Sequence, residues 1–146
     1  MAIGDYKVPV DAGTWNACTK TITYAAGTTG AASAKTIFTV TGLVRVRIVA
    51  LCTATLTSGG AATITVGTSA SASGLLASVT ATTLAINEIW HDATPDSAIE
   101  LETVAPTKLL SLSIVETIGT TTVTGGSLRY FVLWQPVSDD GMVVAA

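Results

Sequence analysis

Short runs of alternating apolar and polar residues, separated by turn-forming residues, constrain this sequence more than any other feature. The clearest run extends over residues 43–57, where Val44, Val46, Ile48 and Ala50 share one face by period 2. Similar runs recur about every ten residues, with glycine, serine or proline between them, and none shows a helical period. We therefore predict an all-β protein, a jelly-roll-like β-sandwich of about eight to ten short antiparallel strands with extended terminal arms.

The length of 146 residues fits one domain. Residues 1–18 lack a period and are broken by glycine and proline, which predicts an extended N-terminal arm. Residues 19–137 form the predicted sandwich domain, and residues 138–146 form a C-terminal tail. We expect both ends to be arms that can add a strand to the sheet edge of a neighbouring molecule.

The apolar faces of the alternating runs supply the predicted core. Burying such faces between two sheets is what stabilises a sandwich. In this interpretation Ile48 and Leu112 are equivalent core positions, so truncating either one should be costly. The predicted core residues are Val44, Val46, Ile48, Ile64, Val66, Leu101, Leu110, Leu112, Ile114, Tyr130 and Val132.

The composition excludes several classes of protein. Only 12% of the residues are charged and the formal net charge is −3, so a basic nucleic-acid-binding surface is not expected. No apolar stretch reaches the roughly 20 residues that span a membrane, and the first residues do not resemble a signal peptide. We therefore expect the chain to be made and folded in a cytoplasm. In that reducing compartment, Cys18 and Cys52 are predicted to be free thiols.

The acidic stretch around His91, the only histidine, allows two interpretations. Glu88, His91, Asp92 and Asp96 could be drawn together as a Ca²⁺ or Zn²⁺ site, although their spacing fits no recognised metal-binding loop. The alternative is a strand that ends in a polar turn, with an aspartate accepting hydrogen bonds from backbone amides. We favour the turn.

Catalytic residues are not predicted anywhere in the chain. A mechanism based on a nucleophile and a histidine would have to use His91. Glu100 and Glu102 share one face of a strand, as paired carboxylates of a glycosidase can. Carboxylates on an outward strand face more often serve solvation, so we predict that the protein is not an enzyme and has no cofactor or metal site.

Two strands carry more apolar surface than a single sandwich hides. On one strand Val49 and Leu51 share a face with two arginines, and on the last strand both faces are apolar. Such faces need a cover, which a loop, the N-terminal arm, another subunit or a lattice would provide. The predicted subunit or lattice interface comprises Trp15, Arg45, Arg47, Val49, Leu51, Arg129, Phe131 and Leu133.

Threonine, glycine and apolar residues are abundant in residues 39–44, 124–134 and 140–144. In this composition the chain resembles small structural virion proteins of tailed bacteriophages. Within that group the chain is most similar to capsid decoration, or cement, proteins. The resemblance implies a non-enzymatic homo-oligomer, commonly a trimer, on the capsid surface of the virion. Its partners would be copies of itself and the lattice of the major capsid protein, with no nucleic acid and no membrane.

Two alternatives to the decoration protein stay open. One is a phage tail or head-fibre component, since such proteins have a similar composition. The other is a carbohydrate-binding or adhesin-type β-sandwich module, in which Trp15, Trp90 or Trp134 would stack on sugars. Aromatic residues make up only 5% of the chain, which favours core or interface roles for the tryptophans.

Overall fold

The chain folds into two antiparallel β-sheets, as seen in a computed structural model that describes residues 15–97 and 107–146. The strands are β1 (Asn16–Thr23), β2 (Ala34–Thr41), β3 (Val44–Ser58), β4 (Thr63–Thr68), β5 (Ser71–Thr80), β6 (Ile89–Trp90), β7 (Lys108–Leu110), β8 (Ile114–Gly119), β9 (Val123–Pro136) and β10 (Met142–Ala145). Among these residues, a 3-10 turn at Ala81–Thr83 is the only helical element. The predicted all-β sandwich is thus confirmed. In the described part of the chain, no helix has the length and hydropathy to cross a membrane.

The pairing of the strands is nested. Sheet A has the order β1-β9-β3-β6, with β7 also paired to β3, and sheet B has the order β10-β2-β8-β4-β5. The pairs β1·β9, β2·β8, β3·β7 and β4·β5 therefore enclose one another along the chain and alternate between the two sheets. A long hairpin rolled up in this way favours the jelly-roll form of the sandwich.

The core lies between the sheets, where period 2 predicted it. Eight of the predicted core residues are buried: Val44, Val46, Ile48, Ile64, Val66, Ile114, Tyr130 and Val132. Leu110 is only partly buried and packs against the edge of the core. Leu101 lies outside the described residues.

The prediction that Leu112 belongs to the core is wrong. The alternation of Leu110, Leu112 and Ile114 predicts one continuous strand over residues 109–115, but β7 ends at Leu110 in sheet A and β8 begins at Ile114 in sheet B. The chain crosses between the sheets at residues 111–113, which breaks the period, and Leu112 is 43% exposed. The hydroxyl of Ser113 accepts a hydrogen bond from the amide of Val40 at 3.2 Å, which fixes the crossing.

Strands of the sandwich extend into both predicted terminal segments. Strand β1 begins at Asn16, within the predicted arm, and residues 1–14 lie outside the described residues. The predicted C-terminal arm is used within its own chain, since β10 pairs with β2 along Met142–Ala145. Burial of Val143, which is 3% exposed, explains this outcome, because the apolar side chain closes the core at that edge.

The two cysteines are free thiols, as predicted. Cys52 is buried, whereas Cys18 is partly accessible, and burial raises the pKa of the Cys52 thiol. Because the thiolate is the reactive species, we expect iodoacetamide to modify Cys18 in the folded protein and Cys52 only after unfolding. Mass spectrometry of labelled peptides measures this. Equal labelling of both cysteines in native buffer would contradict the buried position of Cys52.

Candidate interaction surface on sheet A

The predicted interface residues come together on the outer face of sheet A. In the β3·β9 ladder, Arg47 pairs with Leu133, Val49 with Phe131, and Leu51 with Arg129. Residues paired in this way have side chains on the same face of a sheet. The inner faces of both strands are buried, so these six side chains point away from the core. Arg45 continues the same face of β3. Trp15, which directly precedes β1, lies against Arg47 of this face.

The centre of this face is apolar. Val49, Leu51, Ile89 and Phe131 line a shallow depression of about 190 Å³. Leu133 is 40% exposed at its border. Scattered exposed apolar residues are normal on proteins, whereas a contiguous apolar group framed by charges is a candidate interaction site. We define this group, together with the arginines around it, as the sheet A patch.

Two arginines of the sheet A patch lie against aromatic rings. The guanidinium of Arg47 lies 5.5 Å from the centroid of Trp15, and that of Arg129 lies 5.0 Å from the centroid of Phe131. Both distances suit a cation–π interaction. Stacking restricts the long side chains, so that less conformational entropy is lost when a partner engages them.

The patch ends where β3 and β9 become irregular. Their register shifts after Cys52. Beyond that point the outward residues are hydroxylated, and Thr53 and Ser127 hydrogen bond through their side-chain oxygens at 2.5 Å. Gly126 has φ of +98°, and a side chain there would collide with the carbonyl of Thr55. The bulge thus separates an apolar half of the face from a half solvated by hydroxyls.

Sequence reasoning missed Ile89, a member of the patch, and Leu109, which extends the same face next to it. Ile89 pairs with Leu51, and Leu109 pairs with Arg45, so both extend the outer face at the β3 edge. Leu109 is 62% exposed. Leu109 directly precedes Leu110 in an alternating run, so the sequence could have placed its side chain on the outer face. The two-residue strand β6 is too short for its side-chain direction to be predicted from the sequence.

The acidic stretch around His91 forms the predicted polar turn. The carboxylate of Asp92 accepts hydrogen bonds from the amide of Thr94 at 2.7 Å and from its hydroxyl at 3.0 Å. The hydrogen bond from the Thr94 amide is the main reason that the pKa of Asp92 is lowered. Glu88 instead accepts a bond from the amide of Ala85 at 2.7 Å. Among the described residues, no three potential ligands of the His, Cys, Asp or Glu type form a metal-binding group.

The tryptophans have different environments. Trp90 is fully buried, and its indole nitrogen donates a hydrogen bond to the carbonyl of Ala77 at 3.1 Å. Trp134 is partly buried against the core. Trp15 is the one partly exposed at the sheet A patch, beneath Arg47. Trp90 therefore cannot stack on a sugar.

A buried carboxyl group links the two sheets and was not predicted. The hydroxyls of Tyr24 and Tyr130 each donate a hydrogen bond to Oε2 of Glu116, both at 2.6 Å. Glu116 is fully buried, and this burial raises its pKa. The alternation along β8 could have predicted this burial, because Glu116 lies between Ile114 and Ile118 on the inner face of the strand.

Comparison with known proteins found similar solved structures but no sequence relatives. No protein-family profile and no curated protein matches the chain. The capsid asymmetric unit of cyanophage Pam1 is similar with a TM-score of 0.41 and 18% identity, covering 83% of this chain and 84% of that one. The acidic stable capsid structure of Helicobacter pylori bacteriophage KHP30 is similar with a TM-score of 0.40 and 7% identity, covering 88% of this chain and 99% of that one.

Proposed function

We propose that the protein is a structural, non-enzymatic component of a bacteriophage virion that binds the capsid lattice through the sheet A patch. In this role it is a decoration protein on the capsid surface. It acts as a homo-oligomer, with a trimer favoured by the resemblance of its sequence to cement proteins. Phage assembly in the host cytoplasm agrees with the two free thiols.

One observation carries the proposal: residues selected from sequence as an interface lie on one continuous surface. That surface combines an apolar centre with aromatic and arginine side chains. Such a composition is typical of the centre of protein–protein interfaces. Binding of many copies would stabilise an assembled shell by mass action, because the ligand favours the assembled state.

The outer face of sheet B offers a matched contrast. Leu133 on the sheet A patch is 40% exposed, and Val144 on β10 is 42% exposed. Val143 points into the core, so its neighbour Val144 lies on the outer face of sheet B. The two positions therefore have similar exposure on opposite sides of the molecule.

We expect Leu133→Glu to reduce occupancy on capsids about tenfold or more, because the variant places a carboxylate at the border of the apolar depression, within the proposed contact. Val144→Glu should leave occupancy within about twofold of the unchanged protein. The measurement uses purified particles of the encoding phage from which this protein has been stripped. Bound protein is quantified after sedimentation with each variant.

Circular dichroism controls for folding of both variants. Equal binding of Leu133→Glu and the unchanged protein would remove the sheet A patch from the contact. Absence of the protein from particles of the encoding phage would overturn the virion role itself.

A further inference from the structure

The part of the chain that precedes β1 joins the structure at the sheet A patch. Trp15 directly precedes β1, and the guanidinium of Arg47 lies 5.5 Å from the centroid of its ring. Ala17 and Thr19 are exposed and alternate with less exposed neighbours, which places Trp15 on the same outer face of the sheet. Residues 1–14, which lie outside the described residues, are therefore attached at the border of the patch.

The apolar depression is within reach of this attachment point. Asn16 pairs with Trp134, and Trp134 pairs with Val46, so only β9 separates β1 from β3. With strands about 4.8 Å apart and residues about 3.3 Å apart along a strand, Val49 lies about 15 Å from the start of β1. Fourteen residues precede Trp15. Fully extended, such a segment spans about 46 Å, which is more than the distance requires.

The sequence of this segment contains a run suited to the depression. Tyr6, Val8 and Val10 alternate with Lys7 and Pro9. In an extended chain the three apolar side chains share one face, and Pro9 favours an extended backbone at its own position and at the position before it. The run therefore offers one apolar side to a surface and its polar side to water.

Turn-forming residues follow the run. Asp11 and Gly13 lie between it and Trp15, and both residue types favour chain reversals. Strands β1 and β3 are both antiparallel to β9, so they run in the same direction. A reversal before β1 would direct the run along the outer face of sheet A, from the start of β1 towards Val49. Residues 6–10 then span about 15 Å, enough to bring Tyr6 to the depression.

A tethered segment has an advantage over a separate molecule in covering this surface. A short linker gives the attached segment a millimolar effective concentration at a site within its reach. A second copy of the protein at micromolar concentration lacks this advantage and loses translational and rotational freedom on binding. In the free protein, the chain's own segment is thus the favoured cover.

We propose that residues 6–10 cover the sheet A patch of the same molecule in the free protein, with Tyr6 in the apolar depression. Tyrosine is among the residues that most often anchor an interface. The inference deepens the proposed function by adding regulation to the same site, and it rests on that function for the capsid lattice as the competitor. Because segment and lattice exclude each other, only the uncovered fraction of molecules binds capsids.

NMR spectroscopy of the full chain tests the contact directly. We expect nuclear Overhauser effects between the ring protons of Tyr6 and the methyl groups of Val49 and Leu51. A mixture of two differently labelled copies separates contacts within one molecule from contacts between molecules. Contacts only between molecules would overturn the proposal, since the segments would then be exchanged. Contacts from Leu101 in place of Tyr6, or no contact from residues 6–10, would also overturn it.

Tyr6→Ser is the diagnostic variant, and Lys7→Ser is its matched control on the opposite side of the run. Removal of the Tyr6 ring should shift the methyl resonances of Val49 and Leu51, whereas Lys7→Ser should leave them in place. Equal shifts in the two variants, or none in either, would contradict a cover anchored by Tyr6.

Binding to capsids stripped of this protein separates the cover from the proposed function. Tyr6→Ser should bind them about threefold or more tightly, because a larger fraction of molecules is then uncovered. If the Tyr6 contacts are present but binding is unchanged, the cover stands and the lattice contact at the patch fails. If the contacts are absent while Leu133→Glu impairs binding, the proposed function stands and the cover fails. Weaker binding by Tyr6→Ser would overturn the cover, because the segment would then contact the lattice.

Discussion

Replacing Ile48 with alanine should lower the free energy of unfolding by about 2–5 kcal/mol. Ile48 lies in the regularly paired first half of β3, is 6% exposed, and pairs with the buried Val132. The truncation removes buried methyl and methylene groups, and neighbours held in two long strands can relax only partly into the cavity. Urea denaturation followed by intrinsic fluorescence measures the loss.

Leu112→Ala is the control, since it removes a similar amount of hydrocarbon from an exposed site. With Leu112 43% exposed in the crossing between the sheets, we expect a loss below about 1 kcal/mol. The comparison thus tests the crossing between β7 and β8 directly. Similar losses at both positions would mean that residues 109–115 form one continuous strand, as the period alone suggested.

Glu116→Gln should make the protein more stable than the unchanged chain at neutral pH and remove part of its pH dependence. Burial raises the pKa of Glu116 above the ordinary value of 4.5. The hydrogen bonds from Tyr130 and Tyr24 lower it, as do the weaker fields of Lys35 and Lys20, but burial outweighs them. Glutamine keeps a carbonyl that can accept both phenols, and it carries no charge.

The direction of the effect follows from proton linkage. The folded state holds the Glu116 proton more tightly than the unfolded chain does, so the resulting stability is fully present below about pH 4.5 and is lost as pH rises through the folded pKa. Asp92 acts in a different window. Its pKa is lowered from 3.8, so its contribution is present above that value and is lost in stronger acid.

Urea denaturation at about pH 5 and about pH 8 separates the two groups. We expect the unchanged protein to lose stability between these values, and Glu116→Gln to lose less. Tyr130→Phe provides a second check. Removing one donor to the carboxylate should raise the pKa of Glu116 further. The loss of stability as pH rises should then be larger than in the unchanged protein. Identical pH profiles for the unchanged protein and Glu116→Gln would contradict a titrating buried carboxyl.

The sheet A patch was predictable to a large extent because side chains alternate strictly along a strand. Once β3 and β9 are recognised as strands, period 2 places Arg47 and Val49 on one face of β3, and Phe131 on one face of β9. Whether those two faces coincide depends on pairing and register, which the sequence does not specify. The antiparallel pairing of Val49 with Phe131 decides it.

The all-β class, most of the inner faces and the free thiols could be predicted from the sequence, because they depend on local alternation and composition. The places where the chain changes sheets depend on long-range packing and could not. Leu112 continues the alternation of its neighbours yet is exposed, and Glu116 occupies an apolar position yet is buried between two tyrosines. Residues 142–145 close the core through pairing with β2, a contact between segments about 100 residues apart along the chain. Local patterns determine which face of a strand is apolar, but the neighbour that covers that face is fixed only by long-range packing.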